Sequence, residues 1–262
     1  MRHTAGMAYA WSGPSPLNKL WPNTAADFAR EQDGPGFLAA LSTLPLLHQP
    51  ASVWEYSVAT DVLGLLVEAV ARQRLGEFLA ERLFRPLGMV DTGFVVPAEK
   101  VRRYAHALPR DPETGQPQSV MDSTRPHRFD CGGACAVSTA GDYLRFAEML
   151  RNRGTLDGVR ILSRKTVQFM ASDHLAALPG AQLGPSYLPG PGYGFGLGFA
   201  VRTHAGSAIV PGSPGDFNWS GLAGTYFWID PAEDLVAIWM MQAPEQRAHY
   251  RQLFRNLVYA AL

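Results

Sequence analysis

The 262-residue sequence predicts a mixed α+β fold, with helices first and an antiparallel sheet added near the end. Two observations carry this reading. From residue 25 to about 171, apolar residues recur at helical spacing between turn signals. Past a Gly/Pro-rich passage at 177–224, whose composition points to shaped loops, the chain turns to short aromatic and β-branched runs and then closes on a helix.

Residues 1–36 are rich in Gly, Pro, Asn and Ser, with one short helix around TAADFAREQDG. GFLAALSTLPLL reads as a second, stopped by Pro45 and Pro50. Ser57 fits an N-cap, and the helix after it is expected from Val58 to Arg72 with Val58, Val62, Leu66 and Val70 as its buried stripe. Gly76 breaks that pattern. EFLAERLF forms another short helix, ended by Pro86-Leu87-Gly88. Residues 98–130 are polar and proline-bearing, with Asp111-Pro112-Glu113-Thr114-Gly115 as a turn. STAGDYLRFAEMLRNRG is a strongly amphipathic helix capped by Thr139, with Gly154 at C′. A short helix follows over 163–171. GFGLGFAVR, LAGTYFWIDP and DLVAIWMMQ read as three strands, the last two joined tightly through Asp-Pro-Ala-Glu-Asp, and AHYRQLFRNLVYAAL as the closing helix. The expected organisation is a mainly helical region 1–130 and a region 131–262 holding helices, sheet and closing helix, interleaved as one unit.

Composition excludes several classes. Lys+Arg and Asp+Glu both total 23, so there is no bulk attraction to nucleic acid or to an anionic membrane, and no basic run tracks phosphates. No apolar stretch reaches the roughly 20 residues of a membrane span. MRHTAGMAYAWSG has no charged region followed by an apolar one, so it does not read as a signal peptide. Cys131 and Cys135 read as free thiols packed in a glycine-rich turn, because a disulfide over so small a loop is expected to be strained. Nothing demands an oxidising compartment; localisation stays open, with the cytoplasm favoured. His-Glu-x-x-His, the P-loop and the G-x-S-x-G elbow are absent, and the seven histidines are scattered, so neither metal nor cofactor is expected.

Several segments, in order, resemble the serine β-lactamase-related hydrolases, and more narrowly their class C-like esterases. They are HTAGM at 3–7, Tyr56-Ser57-Val58 with its helix, RLFRPLGMVDTGF at 82–94, GG-x-x-x-VSTAGDYLRFAEML, LDGVRILSRKTVQFM at 156–170, GFGLGF at 194–199 and WSGLAGTYFWIDP at 219–231. The resemblance spans essentially the whole chain and implies a β-lactamase/transpeptidase-like fold, an antiparallel sheet with flanking helices. It also implies a site of three parts: a Ser-x-x-Lys, a Tyr-x-Asn or Tyr-Ser-x motif, and a third motif on the sheet edge. Tyr56-Ser57-Val58 matches the second part, and Trp219-Ser220-Gly221 the third with Ser in place of the middle Gly. By this resemblance Tyr56 is the proton-handling phenol, the Leu222 amide an oxyanion donor, Trp219 a pocket wall with Ser220 and Gly221, and Ser57 a cap that can touch substrate. Taken alone, Tyr56 is simply an aromatic residue at a helix entry.

Chemistry sets the remaining expectation. A serine hydroxyl needs a base, and a phenol helps only if a nearby cation favours its phenolate. The three lysines, Lys19, Lys100 and Lys165, follow Pro16, Pro97 and Leu162 at that spacing, so no Ser-x-x-Lys is present. In the family that motif precedes the His-Thr-Ala-Gly segment, and the expectation is that it lies upstream of Met1, together with the first strands and the nucleophile helix. The expected partner is a small ester or β-lactam-like amide, with ester favoured; the alternative is a non-catalytic remnant that binds ligand. Without the upstream part, the sheet edge along DLVAIWMMQ and an apolar face of helix 58–72 are expected to stand open.

Overall fold

In the computed structural model, described for all residues except Ala177, Pro179 and Ala181, helix entry is set by short polar side chains. Thr24 caps α1 (Ala25–Glu31), accepting from the Ala26 amide at 3.2 Å, and Asp33 caps α2 (Gly34–Ser42) through Gly36 at 2.9 Å. A two-residue strand, β1 (Val53–Trp54), then leads through Tyr56 into α3 (Ala59–Ala71). Ser57 does cap this helix from just outside it, its Oγ accepting from the Ala59 amide at 3.3 Å.

The expected buried stripe of α3 is corrected. Val58 is buried, but Leu66 and Val70 are 58% and 78% exposed, while Asp61, Gly64 and Leu65 face the core. A four-residue step overshoots a full helical turn by about 40°, so three such steps drift about 120° off the face. The i, i+3, i+7 set of Val58, Asp61 and Leu65 stays aligned. Nor does Gly76 end α3: Arg72, left-handed at φ 54°, ends it, and Gly76 lies inside α4 (Leu75–Leu79), its amide on Asp130 Oδ2 at 2.9 Å. A π-turn over Ala80–Phe84 follows.

Thr139 caps α5 (Ala140–Arg151) as expected, accepting from Asp142 at 3.2 Å. Its C′ residue is Arg153 rather than Gly154. Arg153, at φ 57°, donates to the Leu150 carbonyl, and the Gly154 amide reaches back to Met149, the paired bonds of a Schellman motif. The hairpin of β2 (Thr155–Leu156) and β3 (Val159–Arg160) turns through Asp157-Gly158, and Ser163 caps α6 (Arg164–Met170). β4 (Gln182–Leu183) pairs in parallel with β1. In the Gly/Pro-rich passage, Ala177, Pro179 and Ala181 fall outside the described residues.

The main sheet is antiparallel and has five strands in sequence order, against three expected: β5 (Tyr193–Phe195), β6 (Ala200–Arg202), β7 (Phe217–Ser220), β8 (Tyr226–Asp230) and β9 (Leu235–Trp239). GFGLGFAVR is a hairpin folded at Gly196–Phe199, where Gly198 takes φ 93°. β7 goes unread in the sequence because its four residues, Asn218 among them, are flanked by Pro214, Gly215, Asp216 and Gly221. α7 (Arg247–Tyr259) closes the chain.

Alternation along β8 sets the layers. Phe227 and Ile229 join a core with Ala147, Met149 and Leu150 of α5, while Trp228 meets Phe254 and Tyr259 of α7. The sheet is thus sandwiched between α5 and α7, and β9 forms one edge. The N-terminal helices build a second core around Phe37, Val58, Leu65 and Phe129. Trp54, Phe195 and Ala200 join the two, with Tyr56 and Trp219 packed against them.

Cys131 and Cys135 are paired as a disulfide, which corrects the free-thiol reading. The Gly132-Gly133 turn brings their Cα atoms to 5.2 Å, inside the usual range for a bridge. Among the described residues, no helix is long and apolar enough to cross a membrane, and no three His, Cys, Asp or Glu side chains gather as a metal set.

Candidate active site

β1 is extended, so Trp54 and Tyr56 leave the backbone on the same side and their rings stack at 6.3 Å. The cap at Ser57 then turns the chain sharply into α3, which fixes the phenol at the seam between the helical region and the sheet. Trp219 reaches the same seam from β7, ring to ring with Tyr56 at 5.4 Å. Residues more than 160 positions apart therefore meet at one point.

The third motif was expected on the sheet edge, but it lies on β7, the middle strand of the sheet. Its pairing with β6, however, stops at Asn218, so Trp219 and Ser220 pair only with Phe227 and Tyr226 of β8. The local effect is that of an edge. Beyond Ser220 the chain makes a tight turn, in which Gly221 N–H donates to Thr225 at 2.9 Å and Gly224 N–H to Gly221 at 3.1 Å. Leu222 sits at its tip, 56% exposed, and its amide has no intramolecular acceptor among the described residues. Ser57 is buried and committed to capping.

Four further residues complete the site. His3, buried in HTAGM, packs on the Tyr56 ring at 4.7 Å, with Nδ1 lacking a partner and Nε2 3.5 Å from Thr60 Oγ1. Burial and the neighbouring amino terminus push its pKa down to about 3, so it is neutral at ordinary pH. Tyr9 packs beside Tyr56 at 5.5 Å and donates to Asp61 Oδ2 at 3.4 Å. Asp61, wholly buried on α3, accepts from the Gly133 amide at 2.8 Å, and burial raises its pKa to about 6. Arg251, on α7, donates to the Gly221 carbonyl. Burial, with Arg247 nearby, lowers its pKa to about 10.

These neighbours act on Tyr56 in opposite senses. Burial, the largest influence, raises its pKa, and the Asp61 carboxylate adds to that; the Trp219 indole and the Arg251 guanidinium pull the other way. The net shift is upward, so the phenol is protonated at neutral pH. Arg251 thus favours the phenolate form of Tyr56, and Asp61 opposes it. The signals for these residues were weak: Asp61 resembles any polar residue in a first helical turn, and Arg251 any arginine on an amphipathic helix.

Comparison with known proteins bears on the family and the fold. The family model described as Beta-lactamase matches residues 1–260. The chain is similar to Protein Rv1367c of Mycobacterium tuberculosis, 38% identical over 92% of this chain and 61% of that protein. It is similar to Esterase EstB of Burkholderia gladioli, 30% identical over 91% of this chain and 62% of that one. Among solved structures, EstCE1, a hydrolase with promiscuous acyltransferase activity, superposes with a TM-score of 0.76 at 26% identity, covering 98% of this chain and 70% of that one. The chain thus spans a little over three fifths of the length of these two curated relatives.

Proposed function

The chain belongs to the β-lactamase family, and on that premise we propose that it carries the proton-handling and oxyanion parts of a serine acyl-transfer site for small esters. The observation that carries this reading is the meeting of Tyr56 with the Trp219–Leu222 turn. In the reaction, a serine hydroxyl attacks the ester carbonyl and its proton passes to the base side of the site. The oxygen of the tetrahedral intermediate is held by amides, one of them Leu222. The intermediate collapses by breaking the ester C–O bond, and the alcohol leaves with the proton taken from the serine. Water then hydrolyses the acyl-enzyme to release the acid and restore the serine. Tyr56 relays the proton. Trp219 and the backbone at Ser220 and Gly221 wall the acyl group, and Arg251 keeps that turn in place through the Gly221 carbonyl.

The nucleophile and its lysine are the parts this reading places outside the 262 residues, since none of the three lysines follows a serine at the required spacing. A protonated Tyr56 beside Asp61 fits a site at rest without them. The ester is favoured over a β-lactam because Tyr-Ser-x and Trp-x-Gly lean toward the esterases, and similarity to Esterase EstB supports the same choice.

The test compares two proteins on p-nitrophenyl butyrate and nitrocefin. The 262-residue chain is expected to show no turnover above background. A chain lengthened by its upstream reading frame to include a Ser-x-x-Lys should hydrolyse the ester faster than nitrocefin, and Tyr56→Phe should cut its kcat by about 10². Turnover by the shorter chain that disappears with Tyr56→Phe would overturn the assignment of the nucleophile. Loss of no more than twofold in the longer chain would remove Tyr56 from the chemistry.

A further inference from the structure

Glu55 points the opposite way from Trp54 and Tyr56, as alternation along an extended segment requires. It enters a separate cleft of about 310 Å³ on the far side of that segment, lined also by Asn18, His48, Ser15, Leu47 and Pro185. Glu55 is 2% exposed, and neither carboxylate oxygen has a hydrogen-bond donor among the described residues. The basic side chain beside it is His48, whose Nε2, also without a hydrogen-bond partner among the described residues, lies 3.5 Å from Oε2. Asn18, 1% exposed, has its amide orientation fixed: Nδ2 donates to the Tyr9 carbonyl at 3.3 Å and Ser12 Oγ at 3.2 Å, leaving Oδ1 on the cleft side without a donor. Gly13 and Gly184 keep the walls thin, since a Cβ on Gly13 would press on Asn18 Oδ1 and one on Gly184 would collide with Glu55 Oε2.

The cleft therefore offers two buried acceptors, one of them a carboxylate, between apolar walls. Buried acceptors are almost always met by a donor, so two of them lining one cleft mark where a donor-bearing group belongs. A cation with several N–H donors would satisfy both acceptors and the charge of the carboxylate at once. The cleft lies at the small end of the range for ligand sites and is much roomier than a bare ion needs. We propose that this cleft binds a primary ammonium group on a short apolar stem, with Glu55 as counter-ion and the Asn18 carbonyl as second acceptor. The inference does not depend on acyl-transfer chemistry, because it uses the opposite face of the segment from Tyr56.

Amide NMR on the 262-residue protein tests it, with n-pentylammonium chloride as probe and n-pentanol, sodium pentanoate and sodium chloride as controls. Saturable shifts are expected at residues 13–18, 47–48, 55 and 184 with the ammonium alone. Glu55→Gln, which keeps the shape and removes the charge, should weaken binding by about tenfold or more. Should that variant fail to fold, the contrast of pentylammonium with pentanol in the unaltered protein still decides. Nα-acetyl-lysine methylamide separates the sources of the group: equal binding assigns a lysine side chain and lack of it a free amine, and both uphold the ammonium assignment. No saturation by about 20 mM probe, equal binding of pentanol, or shifts confined to residues 219–222 would overturn the proposal. So would Zn²⁺ binding that needs both His48 and Glu55 while the ammonium fails, because it would make the cleft a metal site.

Discussion

Behind the sheet, on its α7 face, Asp216 takes two arginines at once, whereas around Tyr56 a histidine, two phenols and a carboxylate share almost no strong bonds. Asp216 Oδ2 accepts from Arg202 at 2.5 Å and Arg255 at 2.6 Å, and all three side chains are wholly buried. Arg202 also reaches the Tyr193 hydroxyl and the Val210 and Pro211 carbonyls, and Arg255 reaches Tyr226 and Pro211. Tyr259 donates to Asp230 at 2.6 Å. Two positive charges face two negative ones, and together they tie α7, the 203–216 excursion and the sheet into one body. The Tyr56 cluster is different. His3 Nδ1 lacks a partner, Asp61 is held by one amide and a long bond from Tyr9, and the pKa values of His3 and Asp61 are displaced toward their neutral forms. A mostly paired cluster holds a fold together; an under-paired one keeps groups ready for something else.

Cutting the paired cluster has the largest expected effect. Asp216→Ala strands two buried arginines and should cost about 3–5 kcal/mol in urea or thermal unfolding. Tyr226→Phe removes one outer bond from the same cluster and should cost about 1 kcal/mol. Equal small effects from both changes would mean that the cluster does not hold α7.

The under-paired cluster should be revealed by pH. His3, depressed from 6.5 to about 3, makes the folded state bind fewer protons, so its contribution to stability is full above 6.5 and is lost as pH falls toward 3. Asp61, raised from 3.8 to about 6, acts in reverse: its contribution is present below 3.8 and is lost as pH rises through 6. Between pH 4 and 6 the two slopes oppose each other, and the unaltered protein should be nearly flat there on their account. With His3→Gln, stability should fall by up to about 3 kcal/mol as pH rises over that interval. With Asp61→Asn it should rise by a similar amount. Denaturant midpoints measured at several pH values check both, and two parallel profiles would show that neither group is perturbed.

The bridge in the Cys131–Cys135 turn carries Gly133, whose amide holds Asp61, so it links covalent chemistry to the site. Replacing both cysteines by serine should cost no more than about 2 kcal/mol, because the loop it closes is short. It should also change the Asp61-dependent slope; an unaltered slope would show that the turn holds its shape unaided. Smallest of all is the effect of the exposed face of α3. Leu66→Lys with Val70→Lys should shift stability by less than about 0.5 kcal/mol while lowering ANS binding, as measured by dye fluorescence.

Much of the helical region was legible in advance because its signals are local. Thr139 and Ser57 each meet an amide two or three residues away, and such bonds depend on nothing distant. The α3 stripe failed for a related reason, since a spacing of four follows one face only briefly before helical geometry carries it round. β7 was hidden because four residues flanked by loop formers give no period, and it is a strand only because β6 and β8 lie on either side. In the site, Tyr56 and the Trp219 turn could be named from their motifs, but Asp61, Tyr9 and Arg251 could not.

By itself the sequence determined most of the helices, the family resemblance, the balance of charge and the want of a Ser-x-x-Lys, because each is written in neighbouring residues. Tertiary structure alone decided that β7 outruns β6 and leaves Trp219 and Ser220 paired on one side. It also decided that Arg251 and Asp61 act on one phenol in opposite senses, and that Cys131 meets Cys135. The physical reason is that pairing, burial and electrostatic influence depend on separation in space. Tyr56 and Trp219 stand far apart along the chain, yet their rings lie 5.4 Å from each other.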